Sequence, residues 1–190
     1  MELWIVIELC DAGSVLDLLH DTGQDDGLEE EDLIATVLLD VLKALEYIHK
    51  QHIIHRDLKA SNILINSVGE VKITDFGYSG VLLDGGQVKY QTSSFIGSTH
   101  WMAPEVMQQN GSYSYAADIW SFGITALEIA NGKTPTDDDT NLKLYVKVIN
   151  EPAPALEDTP FKKFSPQFKD MISQCLNKDP TKRPTATKLM

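Results

Sequence analysis

The chain has 190 residues, with 16 Lys and Arg against 28 Asp and Glu and a formal charge of -12. It is long enough to bury one good core. So acidic a balance argues against partners that need a basic patch, such as nucleic acid or an anionic membrane surface. The two cysteines, Cys10 and Cys175, have no motif spacing, which argues against a disulfide framework or a zinc site and fits a reducing, cytoplasmic setting. No apolar run reaches the roughly 18 residues of a membrane-spanning helix, and the first residues lack the basic region and cleavage site of a signal peptide.

Residues 3–7 are apolar and rich in branched side chains, which predicts a buried strand. Ser14 stands before Val15, Leu16, Leu18 and Leu19, as a cap on a short helix. Residues 21–32 are acidic and read as a solvated loop. A calcium loop fails there, because counting from Asp21 puts Gly23 at a ligand position and Asp26 where the turn glycine belongs. Leu33, Val37, Leu38, Val41, Leu42, Leu45 and Ile48 recur at three- and four-residue spacing, predicting an amphipathic helix that ends near Lys50.

Ile63-Leu64-Ile65 and Val71-Lys72-Ile73 are short strands around a turn at residues 66–70, a hairpin signal. Residues 78–100 show no sustained period and read as a long loop, usually functional or mobile. Ile119, Trp120, Phe122, Ile124, Leu127 and Ile129 describe a helix apolar almost all round, and therefore buried, with Asn131-Gly132 as its stop. Two more helices follow, over residues 142–149 and 168–176. The expected class is mainly α with a small β-hairpin, an α+β fold.

The hairpin is flanked by His55-Arg56-Asp57-Leu58-Lys59-Ala60-Ser61-Asn62 and by Asp75-Phe76-Gly77. Together these offer two carboxylates, an amide and a lysine on loops that the hairpin brings together, a set suited to metal ions and a phosphoryl group. Singly, each has a plainer reading: an isolated Asp is most often a cap or turn residue, and His55 reads as a satisfied core histidine.

Those two motifs are followed in order by Ala103-Pro104-Glu105, by Asp118-Ile119-Trp120-Ser121-Phe122-Gly123, and by Cys175-Leu176 with Asp179-Pro180 and Arg183-Pro184. In this order the chain resembles a eukaryotic protein kinase over almost its whole length. Lys59, two residues after Asp57, and Trp101-Met102-Ala103-Pro104-Glu105 resemble serine/threonine kinases. Ser94-Phe95-Ile96-Gly97 and the stretch from Ala117 to Thr125 are similar to the sterile-20 group, closest to its oxidative-stress-responsive, proline-alanine-rich branch.

The resemblance implies ATP and Mg2+ as cofactors and protein substrates bearing Ser or Thr. Asp57 would accept the hydroxyl proton, Lys59 would stabilise the transferred group, and Asn62 and Asp75 would ligate magnesium. Glu8, Leu9 and Cys10 would form the adenine-binding hinge, with Ile7 as gatekeeper and Leu64 beneath the ring. Arg56 would pair with a phosphate placed by an upstream kinase on Ser94, or on its neighbours Thr92 and Ser93, while Ser98 would contact the catalytic loop. Phe76 and Gly77 would pack and hinge the metal loop. Asp118 would hold the catalytic-loop backbone, and Arg183 would pair with Glu105.

In the family, a Gly-rich loop, a strand lysine and a helix glutamate precede the hinge. Residues 1–10 therefore read as the last N-lobe strand and hinge, and residues 11–190 as a C-lobe truncated at its end, with the N-lobe almost entirely absent. Such a chain is expected to be weakly active or inactive alone, and aggregation-prone or dependent on a partner. The competing expectation is a catalytically inactive truncated kinase that serves as a binding or regulatory module.

Overall fold

A computed structural model describes residues 4, 6–21, 27–81, 98–108 and 114–190. Helix α1 (Val15–Asp21) starts where Ser14 caps it: Ser14 Oγ accepts the N–H of Asp17, and the Asp17 carboxylate accepts from the backbone N–H of Ser14 in return. This reciprocal pairing satisfies donors that a helix start otherwise leaves open.

Helix α2 (Glu31–Lys50) buries Ile34, Val37, Leu38, Val41, Leu42, Leu45 and Ile48 along one stripe, as its period predicts. The hairpin is present, with strand β2 (Ile63–Ile65) antiparallel to β3 (Val71–Ile73) and Ile63 opposite Ile73. A second small sheet was not legible beforehand: β1 (Ile53–Ile54) pairs with β4 (Gly80–Val81) at the edge of the unperiodic stretch. Residues 82–97 of that stretch lie outside the described residues.

Short helix α3 (Pro104–Met107) leads to the central helix α4 (Tyr115–Asn131), buried without a break from Ala117 to Ala130. It ends at Gly132, whose φ of 76° is the left-handed conformation that glycine adopts without steric cost. Helix α2 lies along one side of α4. Helix α6 (Pro166–Cys175) lies against it where Gly123 removes a side chain, since a Cβ there would sit 2.8 Å from Cys175 Cβ. Helix α5 (Asn141–Asn150) closes a smaller core of Met102, Met107 and Leu144, and α7 (Ala186–Leu189) packs on α2. The fold is α+β, as expected.

The buried strand predicted over residues 3–7 is not found. Leu3 and Ile5 lie outside the described residues, and Trp4, Val6 and Ile7 belong to no strand and are 83%, 93% and 73% exposed. No described strand runs beside them, and an extended segment without a ladder has nothing to hold it in a sheet. Regular contacts begin further on, where Ala12 N–H donates to Ile65 O and Ile65 N–H to Gly13 O.

Candidate active site

Pairing of β2 with β3 brings the two motif loops together: the N–H of Thr74 donates to the carbonyl of Asn62 at 2.9 Å, placing Asp75 beside the catalytic-loop segment. Asp57 is buried, and its carboxylate is fully engaged. Oδ2 lies 3.1 Å from Lys59 Nζ and accepts from Asn62 Nδ2 at 3.0 Å, while Oδ1 accepts the N–H of Ser98 at 3.0 Å. Burial pushes this carboxyl up, but the Lys59 ammonium and the Ser98 N–H outweigh it and hold the group below the usual carboxylate value.

Lys59 also donates to Ser98 Oγ at 2.5 Å and stands 6.0 Å above the Trp101 ring. Ser98 therefore ties the turn at Thr99–Trp101 to both charged groups. Asn62 spends its amide N–H on Asp57, which leaves its amide oxygen as the acceptor a cation would need. Asp75 is exposed, has a left-handed φ of 65°, and accepts from the N–H of Gly77. Phe76 lies edge-on to the buried His55 ring, with centroids 4.9 Å apart, and His55 in turn contacts the carbonyl of Thr74. His55 thus occupies the core and fastens one motif loop to the other.

The hinge candidates are partly assembled. Glu8 pairs with Lys72 at 3.2 Å, and Lys72 is the β3 partner of Leu64. Cys10 is half-buried and its carbonyl accepts from Gly13 N–H, whereas Ile7 stands in solvent. The structure thus brings Glu8 to the hairpin that carries Leu64, ties Cys10 to the turn at Gly13, and leaves Ile7 in solvent. Thr92, Ser93 and Ser94 lie outside the described residues.

Helix α4 holds the catalytic loop and the Thr99–Trp101 turn through four polar side chains. Asp118 accepts the backbone N–H groups of His55 and Arg56, each at 2.9 Å, and contacts His49 Nε2 at 2.7 Å. Ser121 donates to Trp101 O, Thr125 to Leu58 O, and Glu128 Oε2 accepts from Ala60 N–H at 3.0 Å and from Trp101 Nε1 at 2.8 Å. Spacings of three, four and three residues put all four on one helix face. Sequence reasoning named only Asp118. The signal for the others was present, because polar residues at helical spacing inside an apolar helix must find buried partners.

Arg183, its side chain fully buried, makes two parallel bonds of 2.7 Å to the Glu105 carboxylate and covers the Trp120 ring at 5.1 Å.

A helical lobe whose hairpin joins these two loops, with a central helix gripping the first of them, has the architecture of a protein-kinase C-lobe. The chain matches the protein kinase domain over residues 1–190 and belongs to that family. It is 45% identical over 188 residues to serine/threonine-protein kinase fray2 of Dictyostelium discoideum, covering 99% of this chain and 18% of that protein. It is 46% identical over 189 residues to serine/threonine-protein kinase 4 homolog A of the same organism, and 43% identical over 204 residues to germinal center kinase 3 of Caenorhabditis elegans. Both matches cover all of this chain, and they cover 40% and 34% of the respective relatives. The chain thus spans less than half the length of the relatives it matches, which are serine/threonine kinases of the sterile-20 type that its sequence resembles.

Proposed function

We propose that the protein is a signalling serine/threonine kinase that transfers the γ-phosphoryl group of ATP to Ser or Thr hydroxyls of other proteins. The observation that carries this reading is the buried Asp57 carboxylate, fixed by Lys59, Asn62 and Ser98 next to the Asp75 loop. Ionised and held in place, Asp57 accepts the proton as the substrate oxygen bonds to phosphorus and the bond to the departing ADP oxygen breaks. Lys59 stabilises charge on the transferred group.

When bound, ATP would supply the phosphoryl group and magnesium would offset its charge. The donor set fits that metal, since the Asn62 amide oxygen and the Asp75 carboxylate are hard oxygen donors. In this reading Glu8, Leu9 and Cys10 serve as hinge along the adenine edge with Leu64 beneath it, and residues 11–190 form the catalytic lobe. Arg56 is the receptor for a phosphate on Thr92, Ser93 or Ser94, placed by an upstream kinase. A cytoplasmic setting accords with this reading, and among the described residues no helix is long and apolar enough to cross a membrane.

The test is magnesium-dependent transfer of labelled phosphate from ATP to a generic basic protein by the intact protein, with Asp57→Asn alongside. The expected result is transfer by the wild type, weak if these residues act without an N-lobe, and none by Asp57→Asn. An inactive wild type, or an Asp57→Asn protein that retains full activity, would overturn the reading in favour of a binding module.

A further inference from the structure

The segment after α4 reads Thr134-Pro135-Thr136-Asp137-Asp138-Asp139. Asp137 and Asp138 are exposed, and the half-buried Thr136 contacts His100 Nδ1 through its hydroxyl at 3.0 Å. A threonine followed directly by carboxylates has the charge pattern that acid-directed protein kinases select in their substrates. By itself such a run is only a solvated loop.

What sets Thr136 apart is the space beside it. It lines a cavity of about 200 Å³ together with His100, Trp120, Lys147, Glu151 and Lys178. Trp120 is 1% exposed, and its indole N–H has no hydrogen-bond partner among the described residues. A buried donor of that kind calls for an acceptor. Lys178 gives its ammonium to the carbonyl of Val148, and burial pushes its pKa down while Glu151 opposes this. Lys147 bonds the Asp139 carboxylate at 2.5 Å. His100 and the two lysines thus face one lining carboxylate, Glu151, and the Asp139 that holds Lys147.

We propose that Thr136 is a phosphorylation site for an acid-directed kinase, and that this cavity receives the phosphate on Lys147, Lys178, His100 and the Trp120 N–H. In that step the γ-phosphorus of ATP bonds to Thr136 Oγ1, its bond to the ADP oxygen breaks, and the hydroxyl proton passes to the modifying kinase's base. The new group brings a charge of about -1.5 to -2 and three strong acceptor oxygens, and charge-assisted bonds to ammonium groups are the strong ones. A water takes about 30 Å³ in the liquid, so the cavity has room for a phosphate. His100 belongs to the Thr99–Trp101 turn, Lys147 to α5 and Lys178 to the segment after α6. The phosphate therefore fastens three elements together, beside the Ser98 that contacts Asp57 and Lys59. Only that bearing on Asp57 and Lys59 rests on the kinase reading.

Two readouts on the intact protein test this. After incubation with an acid-directed serine/threonine kinase and magnesium-ATP, mass spectrometry should find phosphate on Thr136, and none there without the added kinase or in Thr136→Val. In 31P NMR the phosphothreonine should titrate about 1 pH unit below its ordinary second pKa of about 6, because neighbouring cations favour the dianion. Lys147→Gln/Lys178→Gln should return the midpoint to the ordinary value. Should that double variant fold poorly, Lys147→Gln alone, at a half-exposed side chain, should return it part of the way. A wild type left unmodified at Thr136, or a Thr136 phosphate whose midpoint is the same with and without the lysines, would overturn the proposal. Neither readout uses the chain's own phosphotransfer, so an inactive chain that passes both would sink the kinase reading and retain the site.

Discussion

Asp118 Oδ1 accepts the backbone N–H of Arg56 at 2.9 Å, and Arg56 is one of three described non-glycine residues with positive φ, at 72°. That conformation costs an L-residue about 1–2 kcal/mol, and the buried carboxylate offsets it by also accepting from His55. The bend aims Asp57 away from α4 toward Lys59 and Ser98. Asp118→Asn presents an amide N–H₂ to one of two backbone donors. It should therefore lower stability by about 3 kcal/mol in urea denaturation and reduce phosphotransfer as well.

Arg183 and Glu105 tie the segment before α7 to α3. Replacing Arg183 by Met strands the Glu105 carboxylate, and a loss of about 3–5 kcal/mol is expected. Replacing both partners with apolar residues of similar volume should cost clearly less. A double-mutant cycle read by chemical denaturation checks this, and equal losses in the single and double variants would contradict it.

Gly123 permits the closest approach of α4 and α6. A Cβ there meets Cys175 Cβ and Leu176 Cδ2 at 2.8 Å, and both neighbours are buried. Gly123→Ala should therefore destabilise by about 1–3 kcal/mol through overpacking, seen as a lower Tm, even though alanine is the better helix former.

The two cysteines should differ in reactivity. Cys175 is fully buried, and burial pushes its thiol up to about 12, so it is a neutral thiol shielded from reagent. Cys10 is half-buried. A thiol reagent at pH 8 should modify one cysteine quickly in the native protein and the second only after denaturant is added.

Glu128 should also leave its mark on stability. Its folded pKa, about 7, lies above the ordinary 4.5, so between those values the folded state holds a proton that the unfolded chain has released. Its contribution is fully present below pH 4.5 and is lost as pH rises to about 7, a change on the order of 3 kcal/mol. Glu128→Gln should remove this part of the pH dependence. Stability curves of wild type and variant that run parallel from pH 5 to pH 8 would contradict the assignment.

The helices were legible because each carries its period in its own residues. The stripe of α2 and the all-round apolarity of α4 are local patterns, and a helix satisfies its backbone internally. The sheets were legible only where the pairing is local. The β2–β3 hairpin closes over five residues and was expected, whereas β1 and β4 are two residues each and meet across a gap of 25 residues. The strand expected over residues 3–7 failed for the related reason that an apolar run becomes a strand only beside a partner.

For the site, the sequence by itself determined the chemistry on offer: Asp57, Lys59, Asn62 and Asp75 stand in an order that identifies the family. Tertiary structure alone decided how those groups are held. That Lys59 is shared between Asp57 and Ser98, that Trp101 lies beneath it, and that one oxygen of Glu128 joins two loops all depend on contacts between residues dozens of positions apart. Side-chain identity is written along the chain, but a buried polar group takes its partner from whatever the packed core brings within hydrogen-bond reach.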